Sequence, residues 1–241
     1  MQCVILAGGL GTRIATIAPD VPKALIPIAG HPFAHHQLTL LARAGVRQVV
    51  YCIGHRGDAI RRFVGTGETW GLEVTYVDEG NNLLGTGGAL RLAFDEGVLA
   101  PAFLVLYGDS YLPIDYAAVW SAFEESAKTA LLTVFRNEHR WDRSNVLFEN
   151  DQIVLYDKSR RDPRSARMVH IDYGLGVLQR DTIERYVPPG RIVDLADVYH
   201  RLSVSGELAG MEVAERFYEI GSPEGLADLQ NYLVALKIRE V

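Results

Sequence analysis

The sequence predicts an α/β fold in which helices flank a Rossmann-like, mixed and mainly parallel sheet. Three observations support this prediction. Short apolar runs alternate with segments of helical periodicity over the first 110 residues, a glycine-rich loop follows the first run, and a Gly-Asp pair ends the most apolar one. Apolar runs without polar alternation are typical of strands buried on both faces of a sheet, so helices are expected on both sides.

The first half of the chain supplies the parallel strands of the predicted sheet. Each uninterrupted apolar run indicates a strand, and apolar residues three or four positions apart indicate a helix. The strands are predicted over residues 2–6, 48–53, 72–77 and 103–107, and the helices over residues 33–44, 59–64 and 87–96.

The second half of the chain contains more strands and fewer helices. The strands are predicted over residues 130–135, 145–148, 152–156, 173–178 and 217–220, with a hairpin turn at Asn150 and Asp151. One helix is predicted over residues 194–203. A second begins at Pro223 after Ser222 as N-cap and ends near residue 238. Because no linker is evident, the sequence predicts a single domain over residues 1–241.

Composition excludes several classes of protein. The 24 basic and 30 acidic residues give a net charge of −6, which argues against broad binding to nucleic acid or membrane surfaces. No apolar run approaches the roughly 20 residues that span a bilayer, and the N-terminal run is too short for a signal peptide. Cys3 and Cys52 lie in apolar runs and are expected to be free thiols in a reducing cytoplasm. The seven histidines lack zinc-ligand spacing.

The strongest local signal is the glycine-rich loop LAGGLGTR, which runs from Leu6 to Arg13. Glycines directly after a first strand allow backbone N–H groups to approach a phosphate. A P-loop requires a Gly-Lys pair, which the chain lacks, and a dinucleotide fingerprint requires glycine where Ile14 stands. The remaining interpretation pairs Arg13 with Lys23 as two cations around a triphosphate. The candidate nucleotide-binding residues of this segment are Leu6, Ala7, Gly8, Gly9, Gly11, Thr12, Arg13 and Lys23.

The compound motif GGLGTR, then PK at residues 22–23, then PIAGHP at residues 27–32 resembles the signature of the sugar-1-phosphate nucleotidyltransferases. Among them the chain is most similar to compact heptose-1-phosphate guanylyltransferases and N-acetylmuramate-1-phosphate uridylyltransferases. The resemblance implies Mg²⁺ as cofactor, with an NTP and a sugar 1-phosphate as substrates. It implies that residues 1–130 bind the nucleotide and residues 131–241 bind the sugar phosphate. Arg13, Lys23 and Asp109 are the expected catalytic residues.

Two further motifs match the nucleotide and metal sites of that family. The loop LGTGGA at residues 84–89 matches a loop that contacts the base and ribose, which makes Gly85 and Thr86 nucleotide-binding candidates. A flexible helix N-terminus is the alternative interpretation. Gly108, a further nucleotide-binding candidate, and Asp109 match a Gly-Asp motif that holds the first metal ligand. Glu219 stands where the family typically has the second ligand, an aspartate.

The sugar-phosphate side is expected at Asp157, Lys158, Tyr173 and Gly174, together with Asp109. Asp157-Lys158 stands where the family has Glu-Lys, a pair whose lysine neutralises the sugar phosphate. The alternative interpretation of Asp157-Lys158 is an exposed ion pair in a turn. Residues 172–174 read Asp-Tyr-Gly where the family commonly has Asn-Ala-Gly, which indicates an altered sugar pocket. The cation-rich segment 158–167 is interpreted as a solvated surface loop rather than a lid.

The expected reaction is therefore the synthesis of an NDP-sugar and pyrophosphate, with GTP and a heptose or hexose 1-phosphate as the favoured substrates. A UTP- or CTP-using enzyme that acts on another sugar phosphate or a phosphonate is one alternative. A non-catalytic homologue that senses a nucleotide sugar is the other.

Overall fold

The computed structural model describes residues 1–9 and 21–239. Most of the strands and helices coincide with apolar runs and helical periodicities of the sequence. The strands are β1 Gln2–Leu6, β2 Pro27–Ile28, β3 His31–Pro32, β4 Gln48–Ile53, β5 Glu73–Asp78, β6 Ala102–Tyr107, β7 Ser110–Tyr111, β8 Ala130–Arg136, β9 Val146–Glu149, β10 Gln152–Tyr156, β11 His170–Gln179, β12 Leu208–Val213 and β13 Tyr218–Glu219. The helices are α1 Phe33–Arg43, α2 Gly57–Val64, α3 Gly85–Asp95, α4 Tyr116–Ser126, α5 Arg180–Tyr186, α6 Leu195–Val204 and α7 Pro223–Arg239, with short 3-10 helices at Lys23–Leu25, Glu68–Trp70 and Pro163–Arg167.

In the described part of the chain, nine strands form one sheet in the order β5-β4-β1-β6-β11-β8-β12-β10-β9. Strands β5, β4, β1 and β6 pair in parallel, as does β12 with β8, whereas β11 is antiparallel to both of its neighbours β6 and β8. The predicted α/β fold with a mixed sheet and flanking helices is confirmed. The sheet is continuous from the first half of the chain into the second.

Helices cover both faces of the sheet, which explains why β1 and β6 are almost entirely apolar. In β1, Val4 and Leu6 face one core, which is covered by α3, α5 and α6. Cys3 and Ile5 face the other core, which is covered by α1, α2 and α4. Each residue of β1 is buried because its side chain meets a helix layer on either face.

Helix α7 fixes a small strand pair beside the sheet. Leu229 and Leu233 of α7 pack in one cluster with Phe33, Tyr111 and Ile220. This packing holds β13 antiparallel to β7, at the end of β6. As predicted, the hydroxyl of Ser222 caps α7, where it accepts the N–H of Gly225 at 3.0 Å. No helix in residues 1–9 and 21–239 is long and apolar enough to cross a membrane.

Candidate active site

A cavity of about 310 Å³ opens where the parallel strands β1, β4, β5 and β6 end. Open α/β sheets bind ligands at the carboxyl ends of their strands. We call this space the first cavity. All of the predicted nucleotide-binding residues that the structure describes line it. They are Leu6, Ala7, Gly8, Gly9, Lys23, Gly85, Thr86 and Gly108, joined by Asp109. Gly11, Thr12 and Arg13 lie outside the described residues.

Close backbone packing forms the floor of the first cavity. The N–H of Gly108 donates to the carbonyl of Leu6 at 2.9 Å. A Cβ at Gly108 would lie 2.7 Å from Cβ of Ala7 and 2.9 Å from the Leu6 oxygen, so that only glycine fits. The ends of β1 and β6 therefore approach each other closely, which places Asp109 near Leu6 and Ala7.

Lys23 and Asp109 form an ion pair at the wall of the first cavity. Nζ of Lys23 lies 3.0 Å from Oδ2 of Asp109, and both side chains are partly exposed. Gln37, which is wholly buried on α1, donates from Nε2 to the carbonyls of Tyr107 at 3.0 Å and Ser110 at 2.8 Å. These two carbonyls flank Asp109, so that Gln37 holds the turn that presents the carboxylate.

Glu219 lies close to the same ion pair. In the β7–β13 pair Glu219 is opposite Ser110, and the N–H of Ile220 donates to the carbonyl of Asp109 at 3.0 Å. The Glu219 carboxylate accepts the N–H of Gly221 and the hydroxyl of Ser222. A Cβ at Gly221 would lie 2.5 Å from Oε2 of Glu219 and 3.6 Å from both Oδ2 of Asp109 and Nζ of Lys23. Two carboxylates and one ammonium group therefore surround Gly221.

The LGTGGA segment contacts a loop from the second half of the chain. The carbonyl of Val193 accepts the N–H groups of Gly87 at 2.8 Å and Gly88 at 3.3 Å, at the N-terminus of α3. Gly85, at a φ of +76°, has no room for a Cβ, which would lie 2.7 Å from that carbonyl oxygen. Two helix N–H groups that could have bound a base are thus occupied by the protein. Thr86 also contacts this loop, through Asp194 and Leu195.

Lys158 and Asp157 have different environments in the structure. Lys158 is exposed and donates to Oδ2 of Asp194 at 2.8 Å. Asp157 is buried and accepts hydrogen bonds from the hydroxyls of Ser159 and Ser165 and the N–H of Asp162. Burial alone would raise the pKa of Asp157, but these hydrogen bonds lower it to about 2. The carboxylate stabilises the turn after β10, and Asp157 lines the same open cavity as Lys158, so its contact with the sugar stays a prediction.

The side chain of Tyr173, a predicted sugar-binding residue, lies in the protein core and not in the wall of the first cavity, and its role in binding the sugar stays a prediction. Its side chain is only 2% exposed, and its ring packs against Phe135 and Phe217 at centroid distances of 6.4 and 5.9 Å. Alternation along β11 leaves its neighbour Asp172 on the other face, where the carboxylate accepts the N–H of Gly174 at 2.9 Å and the hydroxyl of Tyr156 at 3.3 Å. Burial raises the pKa of Asp172 to about 6. In the Asp-Tyr-Gly motif of residues 172–174, Asp172 is therefore the residue with an unusual environment, because burial raises the pKa of its carboxyl group.

Most of the arginines in segment 158–167 form hydrogen bonds or ion pairs with residues of the same segment or of adjacent turns and strands. Arg160 donates to the carbonyls of Ser144 and Ser165, Arg164 pairs with Asp162, and Arg167 pairs with Glu149. This placement is that of a surface loop held by internal contacts.

The model of the family described as Nucleotidyl transferase matches residues 2–145, which is more than half of the chain. The chain belongs to the nucleotidyl transferase family. It is 29% identical to a mannose-1-phosphate guanylyltransferase of Mycobacterium tuberculosis, over 95% of this chain and 64% of the relative. It is 30% identical to a D-glycero-alpha-D-manno-heptose 1-phosphate guanylyltransferase of Campylobacter jejuni, over 66% of this chain and 68% of the relative.

The fold of this nucleotidyl transferase is shared with a solved structure. HddC from Yersinia pseudotuberculosis superposes with a TM-score of 0.75 and 23% identity, over 96% of this chain and 99% of HddC. The chain spans just under two thirds of the length of the Mycobacterium tuberculosis relative.

Sequence reasoning missed Glu79 in the wall of this nucleotidyl transferase cavity. Glu79 directly follows β5, and its Oε1 accepts the N–H of Leu84 at 3.1 Å. Its Oε2 lies 2.3 Å from the position that a Cβ of Gly8 would occupy. Burial raises the pKa of Glu79. The signal was its place at a parallel strand end, the criterion that identified Asp109. His55, Arg56 and Leu83 also line the cavity without having been predicted.

Proposed function

We propose that this chain transfers a nucleotidyl group from an NTP to a sugar 1-phosphate and releases pyrophosphate, with GTP and a heptose or hexose 1-phosphate as substrates. The observation that carries the proposal is the Lys23–Asp109 ion pair, 3.0 Å long, in the wall of the glycine-lined first cavity. Relatives that are named mannose-1-phosphate and heptose-1-phosphate guanylyltransferases support the reaction class.

The reaction is a single displacement at the α-phosphorus. An oxygen of the sugar phosphate forms a bond to this phosphorus while the bond to the pyrophosphate oxygen breaks, and pyrophosphate leaves with the electron pair. A phosphate monoester is anionic at neutral pH, so alignment and charge neutralisation replace a strong general base. Lys23 contacts the α-phosphate, Lys158 neutralises the sugar phosphate, and Arg13 stabilises the departing pyrophosphate.

Asp109 and Glu219 fit the binding of Mg²⁺. Mg²⁺ takes oxygen ligands and commonly uses one or two protein carboxylates together with phosphate oxygens. Oxygens of both carboxylates lie around Gly221, beside Lys23. Within the described residues no three His, Cys, Asp or Glu side chains are grouped to hold a metal, which a two-carboxylate site does not require. Bound there, Mg²⁺ would neutralise phosphate charge.

Glu79 supports GTP over the other nucleotides. Strand β5, which precedes Glu79, is three strands from β6, which precedes Asp109, so the ends of these two strands are about 14 Å apart across the sheet, and the Glu79 side chain extends towards Gly8 at the end of β1. We infer that the nucleotide lies along the first cavity, which both acids line, with its phosphates at Lys23 and its base at Glu79. The base edge of guanine offers adjacent N–H donors from N1 and N2, which two carboxylate oxygens can accept. Uracil offers one donor on the corresponding edge.

The cytoplasmic location is part of the same proposal. Cys3 and Cys52 are both buried free thiols. Burial raises the pKa of each thiol, which keeps both in the unreactive protonated form.

Thermal shifts with the four common NTPs, followed by pyrophosphate release with a panel of sugar 1-phosphates, test this function. The panel contains a heptose, mannose, glucose and N-acetylmuramate 1-phosphate, with a phosphonate as an additional acceptor. We expect the largest shift with GTP and pyrophosphate release only when both substrates are present. Preference for UTP or CTP would overturn the base assignment alone. Nucleotide binding without pyrophosphate release for any acceptor would overturn the activity and favour a sensing homologue.

A further inference from the structure

A hydrogen bond between Thr86 and Asp194 joins the walls of two cavities. Thr86 lines the first cavity. Asp194 and Lys158 line a second, more open cavity of about 650 Å³, with Arg161 and His200. Oγ1 of Thr86 donates to Oδ1 of Asp194 at 3.1 Å, and Oδ2 of Asp194 accepts from Nζ of Lys158 at 2.8 Å. A continuous chain of polar contacts thus leads from the LGTGGA segment to Lys158.

The hydroxyl of Thr86 is committed to this contact. Its proton is donated to Asp194, and its oxygen accepts the N–H of Leu195 at 2.8 Å. Asp194 is also the N-cap of α6, where Oδ1 accepts the N–H of Ala196 at 3.0 Å. Thr86 and Asp194 therefore fix each other, and neither side chain rotates without breaking a helix-terminal hydrogen bond.

The backbone beside Asp194 is anchored to the same segment. The N–H of Val193 donates to the carbonyl of Leu84 at 2.9 Å, and the carbonyl of Val193 accepts the N–H groups of Gly87 and Gly88. The absence of side chains at these glycines permits the close approach, because a Cβ at Gly87 would lie 3.1 Å from the Val193 oxygen. The position of Asp194 is thus set by the nucleotide side of the molecule.

We propose that Thr86 and Asp194 are positioning residues that hold Lys158 for the sugar 1-phosphate. The LGTGGA segment, which lines the first cavity, thereby fixes the position of the Lys158 ammonium group in the second cavity. This inference rests on the proposed function, in which Lys158 neutralises the sugar phosphate. It reassigns Thr86 from a nucleotide contact to a group that acts through Asp194.

The geometry of Lys158 explains why it needs such support. Its side chain is 61% exposed, and an exposed lysine loses rotamer entropy when it is fixed. The ammonium group carries three N–H donors, so that Asp194 occupies one and leaves two for a phosphate. Burial acts to raise the pKa of Asp194, but the hydrogen bonds from Lys158 and Ala196 outweigh it and hold this pKa below its usual range. Asp194 is therefore ionised at neutral pH.

Substitutions can separate the Thr86–Asp194 hydrogen bond from the Asp194–Lys158 ion pair. Asp194→Asn keeps the size, the helix cap and the acceptor for Thr86, and removes the charge that orients Lys158. Thr86→Val removes the hydroxyl and keeps the Asp194–Lys158 pair, whereas Thr86→Ser restores the hydroxyl. Asp115→Asn is the matched control, because Asp115 is the N-cap aspartate of α4 and accepts the N–H groups of Ala117 and Ala118.

The measurement is the KM for each substrate in the pyrophosphate-release assay. We expect Asp194→Asn and Thr86→Val to raise the KM for the sugar 1-phosphate about tenfold, with kcat and the KM for GTP within about twofold. Thr86→Ser should return the KM to the wild-type value, as should Asp115→Asn. In a Lys158→Met background Asp194→Asn should have no further effect, since the residue that it positions is gone.

The outcomes distinguish this inference from the proposed function. Wild-type protein that releases no pyrophosphate overturns both. Wild-type turnover with an unchanged sugar-phosphate KM in Asp194→Asn and Thr86→Val overturns this inference alone. A rise in the KM for GTP in Thr86→Val, without a rise for the sugar phosphate, also overturns it and returns Thr86 to the nucleotide site.

Discussion

Nζ of Lys23 lies 3.0 Å from Oδ2 of Asp109, although the two residues are 86 positions apart in the chain. Lys23 belongs to a short 3-10 helix after the glycine-rich loop, and Asp109 follows the most apolar strand of the sheet. The parallel pairing of β1 with β6 places the ends of these two strands side by side, at the edge of the sheet where both residues lie. In the reaction that we propose, this pair contacts the α-phosphate and neutralises its charge.

Replacement of Lys23 should abolish most of the activity without unfolding the protein. We expect Lys23→Ala to lower kcat by about 10²–10³, because it removes one charged donor from the transition state. The matched control is Lys128→Ala, which removes an exposed lysine whose Nζ donates to the carbonyl of Gly206. Steady-state pyrophosphate release for both variants checks this, and equal losses would show that general charge rather than position matters.

Replacement of Gln37 tests the support of the Asp109 turn. In Gln37→Leu the carbonyls of Tyr107 and Ser110 lose their donor, so the free energy of unfolding should fall by about 1–2 kcal/mol. The activity should fall as well, since Asp109 is no longer held between two fixed carbonyls. Urea denaturation measures the stability, with the exposed Gln48→Leu as control. A fully active Gln37→Leu would contradict this role.

Glu79 is predicted to determine the base preference. Glu79→Gln replaces one of the two oxygen acceptors by a donor, so kcat/KM for GTP should fall about 10–100-fold while that for UTP changes little. Competition between GTP and UTP in one assay measures the preference. Asp78→Asn is the control at the adjacent position, where the carboxylate pairs with Arg61 at the surface. Equal losses for both nucleotides would place Glu79 away from the base.

Asp172 is predicted to make stability depend on pH. Burial raises its pKa to about 6, above the usual value of about 4, so that the folded protein binds this proton more tightly than the unfolded chain does. The resulting stabilisation is complete below about pH 4 and is lost as the pH rises through about 6. Asp172→Asn has no carboxyl group to ionise at this position, so the variant does not lose this stability as the pH rises.

We therefore expect Asp172→Asn and wild type to have similar unfolding free energies at pH 4 and the variant to be more stable by about 2 kcal/mol at pH 8. Chemical denaturation at the two pH values checks this. Asp181→Asn, which changes a side chain that is 82% exposed, should show no such difference. A stability difference for Asp172→Asn that is the same at both pH values would contradict the assignment.

The central strands could be predicted from the sequence because they are buried on both faces. The observed bounds of β1 and β4 equal the predicted ones, since in each strand an uninterrupted apolar run follows a single glutamine. Strand β12 was missed because Gly210 and Glu212 interrupt its apolar pattern. Gly210 is needed there because a Cβ would lie 2.6 Å from the ring of Phe148, a contact that the sequence does not reveal.

Helices α4 and α5 were missed for a different reason. The buried side chains Tyr116, Val119 and Phe123 of α4 have helical spacing, and Asp115 caps the helix, so the signal was present. Helix α5 has only seven residues, too few for a clear periodicity.

The candidate site was predictable where it depends on backbone motifs and less so where it depends on side-chain direction. Gly8, Lys23 and Asp109 line one cavity as expected, because strand ends fix their places. The burial of Tyr173 depends on which face of β11 it occupies. The hydrogen bonds that the Asp157 carboxylate accepts depend on hydroxyl groups of a turn, such as that of Ser165. Neither is evident from motif matching.

The most direct test of the central claim is product analysis of one reaction that contains GTP, Mg²⁺ and heptose or mannose 1-phosphate. Wild type should form a GDP-sugar and pyrophosphate in equal amounts, and Lys23→Ala and Asp109→Ala, both folded, should form almost none. If both variants retain near-native turnover, or if wild type forms neither product with any NTP and sugar 1-phosphate, the account is wrong.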